Sequence, residues 1–320
     1  MGSKGGNADN VEAPLTLGAD GCLRPHGRGL PLAELARRDM DKLIEQLRDV
    51  SIRWNKMGDT AAKGLAAVLC KCPNVAAVDL ADNFLGCMGC QDLCQAVFHH
   101  GALTSLNLSG NRIGDLGAAV LSSLLMTNTS LTHLDLSANK LERQAMQGIG
   151  GGLRGNSALR TLLLAENFFA DEGAIEIGWA ISYNHTLSTL SIRGNEITSA
   201  GANMMASGLS KNSGLVNLDL AENVISQKGV IKLAEALRTN TSLAELDLRH
   251  NSIATTLPFN HAQDAILDAM ASFVVLCMVE RTVAVLKGAL PAMHSRTLHI
   301  AVSRSRTTTG WPLPWHCIQG

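Results

Sequence analysis

A group of cysteines and histidines between residues 70 and 100 contains the residue types that most often bind zinc. Its members are Cys70, Cys72, Cys87, Cys90, Cys94, His99 and His100. A zinc site requires such ligands to converge on one point, because the ion is bound tetrahedrally. Whether these side chains converge depends on the secondary structure that carries them, which the rest of the sequence must indicate.

A second group consists of carboxylates that recur at multiples of 28 residues. Its members are Asp79, Asp135, Asp219 and Asp247. A row of this kind could bind a basic protein surface or a cation. General acid–base catalysis is a weaker interpretation, because Asp79 and Asp135 would lie about 10 Å apart if they occupied strands two positions apart in a sheet. No acid–base partner stands near them in the sequence.

Motifs of the common catalytic and nucleotide-binding sites are absent from the sequence. The chain has no Gly-rich phosphate loop ending in Gly-Lys-Ser/Thr, no Gly-x-Ser-x-Gly turn, no His-Glu-x-x-His and no kinase signature. We therefore predict a protein that is not an enzyme, with no catalytic residues, no cofactor and no metal site.

Eight asparagines stand 28 residues apart and define an internal repeat. They are Asn55, Asn83, Asn111, Asn139, Asn167, Asn195, Asn223 and Asn251. Each closes a nine-residue phrase with apolar residues at its first, fourth and sixth places, as Leu103, Leu106 and Leu108 stand before Asn111. A fixed period of this size is typical of a solenoid, in which each repeat packs on its neighbours.

These phrases resemble the ribonuclease-inhibitor-like class of leucine-rich repeat proteins over residues 47–256. That class includes ribonuclease inhibitor, the sensor regions of NOD-like receptors and Ran GTPase-activating proteins. The resemblance implies an α/β fold, a leucine-rich repeat solenoid (horseshoe) with a parallel concave sheet and convex helices. It implies little about the partner, because function lies in sites and not in folds.

The repeat predicts where the candidate chemical groups point. Each phrase should form a short strand followed by a turn and a helix. The helix register places Cys90 and Cys94 inward as small apolar residues and Cys87 outward. The cysteines then face different directions, so we expect reduced thiols and no zinc site. Asp at the fifth place of the phrase is also the commonest choice in the class that the chain resembles.

The periodicity divides the chain into five segments. Residues 1–29 are Gly-rich and predicted to be flexible. Residues 30–46 are predicted to form an N-terminal capping helix, and residues 47–256 the array of about eight repeats. Beyond the array, residues 257–290 are expected to form capping helices and residues 291–320 a disordered tail.

Composition limits the compartment and the class of partner. The formal net charge is −1 and there is no basic stripe, so we do not expect nucleic acid as a partner. No apolar run is long enough to span a membrane, and the N-terminus lacks the apolar region of a signal peptide. We therefore expect a cytoplasmic protein. Gly2 fits a myristoylation signal, but Gly6 stands where the signal requires Ser or Thr, so lipidation is not expected.

Variable positions of the predicted concave face are the candidates for binding a protein partner, since interfaces concentrate free energy in Trp, Tyr and Arg. They are Arg53, Trp54, His133, Asp135, Glu166, Arg193, Glu222, Asp247, Arg249 and His250. For Trp54 there is an alternative, in which it covers the first edge of the sheet against residues 30–46.

Three functions are compatible with such an array. The first is a non-catalytic protein-interaction scaffold that binds a protein partner through its concave face. The second is a GTPase-activating protein resembling the activators of Ran, with a small GTPase as partner, although the basic residues 291–320 differ from the acidic tail of that family. The third is an inhibitor resembling ribonuclease inhibitor, which the acidic row supports slightly and the net charge does not.

Overall fold

The computed structural model describes residues 45–98 and 100–253 in full, and the backbone of residues 15–17, 22–25, 30–31, 274–277 and 297–300. The strands are β1 (Leu15–Leu17), β2 (Cys22–Pro25), β3 (Leu30–Pro31), β4 (Asp49–Ser51), β5 (Ala77–Asp79), β6 (Ser105–Asn107), β7 (His133–Asp135), β8 (Thr161–Leu163), β9 (Thr189–Ser191), β10 (Asn217–Asp219), β11 (Glu245–Asp247), β12 (Val274–Cys277) and β13 (Thr297–Ile300). The helices are α1 (Asp59–Leu69), α2 (Cys87–Phe98), α3 (Gly114–Thr127), α4 (Arg143–Gly155), α5 (Ala170–Tyr183), α6 (Ser199–Leu209) and α7 (Gln227–Leu237).

Strands β4 to β11 form a parallel sheet in which sequence order is also spatial order. Paired residues differ by 28 in number, as in Leu106 with Leu134 and Leu218 with Leu246. The central residue of each of these strands is buried and its neighbours are more accessible, so the sheet has one packed face and one open face. A parallel sheet normally has both faces covered; here the described residues leave the second face uncovered.

The packed face of the sheet meets the helices in one continuous hydrophobic core. In the repeat that contains Asn111, the core residues are Leu106, Leu108, Ile113, Leu121 and Leu125, all at most 2% exposed. Leu121 and Leu125 are four residues apart on α3, which places them on one face of the helix. The alternating strand and the helical spacing expected from the sequence are therefore confirmed.

The unequal spacing of strands and helices makes the array curve. Neighbouring strands lie about 4.8 Å apart, whereas packed helices lie about 8–10 Å apart. Because each of the seven repeats from β4 to β10 contributes one strand and one helix, the sheet must lie on the inner, concave side and the helices on the convex side. The predicted horseshoe architecture is confirmed.

Seven of the eight asparagines that define the repeat, all except the partly accessible Asn55, form a buried ladder between neighbouring repeats. Asn167 is 0% exposed, and its Nδ2 donates to the carbonyl oxygens of Leu136 at 3.1 Å and Leu164 at 3.0 Å. Its Oδ1 accepts from the backbone N–H groups of Asn139 at 2.9 Å and Leu141 at 3.0 Å, which belong to the preceding repeat. Each amide thus satisfies polar groups that would otherwise be buried without partners.

A second asparagine ladder follows the helices. Asn184 donates from Nδ2 to the carbonyl oxygens of Leu153 and Asn156 in the preceding repeat, and its Oδ1 accepts from the N–H groups of Thr186 and Leu187. This ladder was not expected from the sequence. Its buried members are Asn128, Asn156, Asn184, Asn212 and Asn240.

His100 takes the place of asparagine in the second ladder. Its Nδ1 accepts from the N–H of Leu103 at 3.1 Å, and its Nε2 lies 2.9 Å from the carbonyl oxygen of Cys72. Because a carbonyl only accepts, the proton of the neutral ring is on Nε2. His100 and Cys72 were two of the potential zinc ligands, and the structure joins them through a backbone carbonyl rather than through a thiol.

The two ends of the sheet differ from the prediction. Leu30–Pro31 form strand β3, not the start of a capping helix, and β1 and β2 lie in the segment that was predicted to be flexible. β12 lies where capping helices were expected, and β13 where a disordered tail was expected. β2 pairs with β4 and β13 with β11, so the backbone groups at both edges find partners. Residues 45–46 are helical; the remainder of these predictions lies outside the described residues.

Removing one amide of the first ladder should destabilise the array. We expect Asn139→Ala to lower the free energy of unfolding by about 1–3 kcal/mol, because buried backbone groups of two repeats lose their partners. The measurement is urea unfolding followed by circular dichroism. Asn203→Ala, which changes an exposed helical asparagine, is the matched control and should change stability by less than about 0.5 kcal/mol. Equal effects would contradict the ladder.

Substitutions of His100 test its role in the second ladder. His100→Ala should cost about 1–3 kcal/mol, because the N–H of Leu103 and the carbonyl of Cys72 are left buried without partners. His100→Asn restores the residue found at the same position of later repeats and should retain most of the lost stability. Thermal unfolding of the two variants side by side decides the point, and an asparagine variant as unstable as the alanine variant would refute the assignment.

Candidate functional site

The open face of the sheet and the turns at the carboxyl ends of β4 to β11 carry all ten predicted contact residues. His133, Asp135 and Asp247 lie on the strands themselves. The other seven lie in the turns that follow the strands, one or two residues before a ladder asparagine. The array thus brings them to one face and one edge, although their role in binding stays a prediction.

The carboxylates of the acidic row have a structural task at the ends of the strands. An Oδ1 atom accepts from the backbone N–H two residues further on in Asp79 (3.2 Å), Asp135 (2.9 Å) and Asp219 (3.0 Å). Asn107, in the same row, does the same at 3.0 Å. This side-chain-to-backbone bond stabilises the turn, so the recurrence of Asp at this place does not require a ligand.

The predicted arginines are paired within the chain. Arg193 lies 2.6 Å from the carboxylate of Glu222, and Arg53 lies 3.4 Å from that of Asp79. Arg249 contacts both carboxylate oxygens of Asp247. These charges are largely neutralised before any partner arrives.

The pairing of Arg249 with Asp247 changes the pKa of the arginine. The hydrogen bonds with Asp247 raise the pKa of Arg249; burial opposes this change, and the nearby charges of Asp247, Asp219 and Glu222 add to the increase. The guanidinium therefore stays charged and bound to Asp247.

The residue before each ladder asparagine adopts a left-handed backbone conformation. The eight positions are Trp54, Asp82, Gly110, Ala138, Glu166, Gly194, Glu222 and His250, with φ between 53° and 66°. Glycine adopts this conformation most easily, yet six of the eight positions carry a side chain. Trp54 is 75% exposed, so it does not cover the edge of the sheet among the described residues.

The cysteines are placed as the repeat predicted. Cys90 and Cys94 are buried in the core, and Cys87 is partly accessible. Their hydrogen bond and their burial raise the pKa of Cys94 well above its usual value, and burial raises that of Cys72. In the described part of the chain, no group of three or more His, Cys, Asp or Glu side chains is arranged to hold a metal ion.

Sequence reasoning missed a row of exposed residues immediately after the ladder asparagines. The row consists of Lys56, Phe84, Arg112, Lys140, Phe168, Glu196, Val224 and Ser252. Phe84 is 45% exposed and Phe168 is 58% exposed. The guanidinium of Arg112 lies 4.5 Å from the centre of the Phe84 ring. Comparing this one position across the repeats would have revealed the row.

A model of a known protein family agrees with this geometry. The sequence profile of the leucine-rich repeat matches residues 103–122, 127–149, 183–206 and 239–256. The fold is a leucine-rich repeat solenoid. A crystal structure of internalin C2 from Listeria monocytogenes is similar over 69% of this chain and 79% of that chain, with 19% identity and a TM-score of 0.44. No curated protein sequence matches the chain. Among the described helices of the solenoid, none has the length and apolar character needed to cross a membrane.

The thiols should differ in reactivity as their environments differ. At about pH 8 we expect alkylation of exposed Cys70, while Cys90 and Cys94 stay protected until urea unfolds the chain, because the thiolate is the reacting form. Mass spectrometry of each cysteine-containing peptide measures this.

The raised pKa of Cys94 also predicts that stability falls as the pH rises above about 8.5, since the unfolded chain then loses a proton that the folded chain keeps. Native alkylation of Cys94 as fast as that of Cys70 would contradict this assignment.

Proposed function

We propose that this leucine-rich repeat protein is a non-catalytic interaction scaffold that binds a protein partner through its concave face and the adjoining edge. The observation that carries the proposal is a line of large apolar side chains exposed at that edge. They are Trp54, Phe84, Phe168 and Val224, between 45% and 75% exposed. Large exposed apolar groups are typical of interaction sites. The helices also expose such groups, for example Leu116 and Trp179, but these four share one edge of the array, next to the open face of the sheet.

The rigidity of the turns supports the same proposal. Phe84, Phe168 and Val224 each stand beside a buried asparagine that bonds with the neighbouring repeat, as Phe168 stands beside Asn167. A side chain held in this way loses little conformational freedom on binding, and this lowers the cost of association. Six side chains at left-handed positions, where glycine would be less strained, are further reason to assign them a role at the surface.

The repeat subclass and the compartment belong to the same proposal. Strand partners 28 residues apart support the ribonuclease-inhibitor-like class. The five cysteines whose side chains the structure describes are free, which supports a reducing, cytoplasmic location. A protein partner in the cytoplasm would therefore meet the concave face directly.

No specific observation favours the two alternative functions. The inhibitor hypothesis relied on a free acidic row, but Asp79 and Asp247 pair with Arg53 and Arg249. The GTPase-activator hypothesis relied on a shared repeat type, and one fold supports many functions. Neither is proposed.

Affinity capture with a matched pair of double variants tests the scaffold proposal. Trp54→Ala/His133→Ala removes an exposed tryptophan and an exposed histidine from the concave side. Trp179→Ala/His185→Ala removes the same two residue types from α5 and the loop after it. We expect a protein from cytosolic extract to be retained by the wild type and by the second variant, and at least tenfold less by the first. Truncation of an interface tryptophan typically has an effect of this size.

Circular dichroism of both variants establishes that they are folded. The captured protein is identified by mass spectrometry and its binding is remeasured with purified components. Selective loss of binding in the Trp179→Ala/His185→Ala variant would place the interface on the convex side and contradict the proposal. Substrate turnover by the purified chain would contradict its non-catalytic part.

A further inference from the structure

Four consecutive repeats place an aromatic or basic side chain at the same exposed position, immediately after the ladder asparagine. We call this set, Phe84, Arg112, Lys140 and Phe168, the aromatic–basic row. The aromatic rings stand at its two ends and the two cations between them. Lys56 continues the row by one repeat on the side of Phe84.

The cations of the row are unpaired, in contrast with those of the concave face. Within the described part of the chain, no carboxylate lies within 4.0 Å of the charged nitrogens of Lys56, Arg112 or Lys140; the ion pairs there involve Arg53, Arg193, Lys232 and Arg249. The positive charge of the row is therefore available to an external anion.

The backbones of Phe84, Arg112 and Phe168 are fixed by hydrogen bonds to the preceding repeat, whereas Lys140 makes no such bond and has a left-handed backbone with φ 58°. The N–H groups of Phe84, Arg112 and Phe168 donate to carbonyl oxygens of the preceding repeat at 3.0, 2.8 and 2.8 Å. Before each row residue lies a ladder asparagine, and after it lies a core residue such as Leu85 or Phe169. Arg112 is also oriented over the Phe84 ring, which favours the guanidinium in that position.

We infer that the aromatic–basic row binds an extended, acidic segment of the protein partner, with apolar residues flanking at least two carboxylates. This inference rests on the proposed function. It specifies the chemistry of the partner segment that contacts the edge of the concave sheet. Alternate residues of an extended chain are about 6.6 Å apart. Neighbouring row positions lie between the strand spacing of about 5 Å and the helix spacing of about 8–10 Å. A segment of the pattern apolar-x-acidic-x-acidic-x-apolar therefore matches the four side chains in order.

The charge distribution favours an acidic protein segment over a nucleic acid. A nucleic acid site needs a broad basic surface, whereas the chain has a net charge of −1 and the row is flanked by Asp82, Glu166 and Glu196. These carboxylates would repel the phosphates of a nucleic acid that extends beyond the cations Lys56, Arg112 and Lys140. A short peptide with two carboxylates is small enough to contact the cations alone.

The test is fluorescence anisotropy with the full chain and the labelled peptide Gly-Leu-Ser-Glu-Ser-Glu-Ser-Leu-Gly. The variant Arg112→Gln/Lys140→Gln removes both cations of the row. Its matched control, Lys211→Gln/Lys228→Gln, removes two exposed lysines elsewhere on the array and changes the net charge equally. The peptide is also measured with Gln in place of Glu and with Ser in place of Leu, and a short single-stranded RNA is tested in parallel.

The row variant should weaken peptide binding about tenfold and the control variant should leave it unchanged. The Gln peptide should bind at least tenfold more weakly, and raising the salt from about 50 to about 300 mM should reduce the affinity for the Glu peptide. An Arg112→Glu/Lys140→Glu variant should instead bind the peptide with Lys in place of Glu.

Three results would overturn the inference. They are no peptide binding to the wild type, equal binding by the row and control variants, and RNA binding that is tighter than peptide binding and lost with the row. Each leaves the scaffold proposal standing if the captured partner still depends on Trp54 and His133. Failure of the capture experiment with retained, row-dependent peptide binding would instead contradict the concave-face proposal alone.

Discussion

Satisfying the backbone at the end of every strand is the constraint on which the rest of this structure depends. Each strand from β5 to β10 ends in a turn that lies between two other turns, and the ladder asparagine of that turn is buried with the backbone groups that it contacts. The ladder asparagine satisfies these backbone groups, because its short side chain has two N–H donors and one oxygen acceptor. It forms hydrogen bonds within its own repeat and to the preceding one. Because each amide bridges two repeats, no repeat can lose its turn without removing hydrogen bonds from its neighbour.

The same constraint determines where the chain is free to vary. A residue inside the ladder or the core has its type dictated by a buried hydrogen bond or by packing, as Asn167 and Phe169 do. The residue between them, Phe168, and the one before them, Glu166, are exposed while their backbones are fixed. Two rows of displayed side chains therefore flank the ladder, and a change of partner specificity there need not alter the fold.

The fold was predictable because its signal is local and repeated eight times. The spacing of the asparagines, the strand through Leu106 and Leu108, and the inward cysteines Cys90 and Cys94 all follow from one repeat register. What the register could not show depends on contacts between repeats. Arg53, Arg193 and Arg249 were predicted as contact residues, but their pairing with carboxylates requires knowledge of side-chain direction. The role of His100 and the strands at the two ends depend likewise on non-local partners.

The pairing of charges divides the binding surface into two parts with different physical properties. A partner that covers the concave face must desolvate existing pairs such as Arg249 with Asp247, and this costs free energy unless new partners replace the lost water. At the edge, the cations of Arg112 and Lys140 have no carboxylate partner among the residues that the structure describes, so an approaching carboxylate adds an interaction rather than replacing one. Long-range attraction then acts mainly at the edge, while the concave face contributes shape and rejects poorly matched partners. On the proposed function, recognition begins at the turns after β5 to β8 and is completed on the sheet.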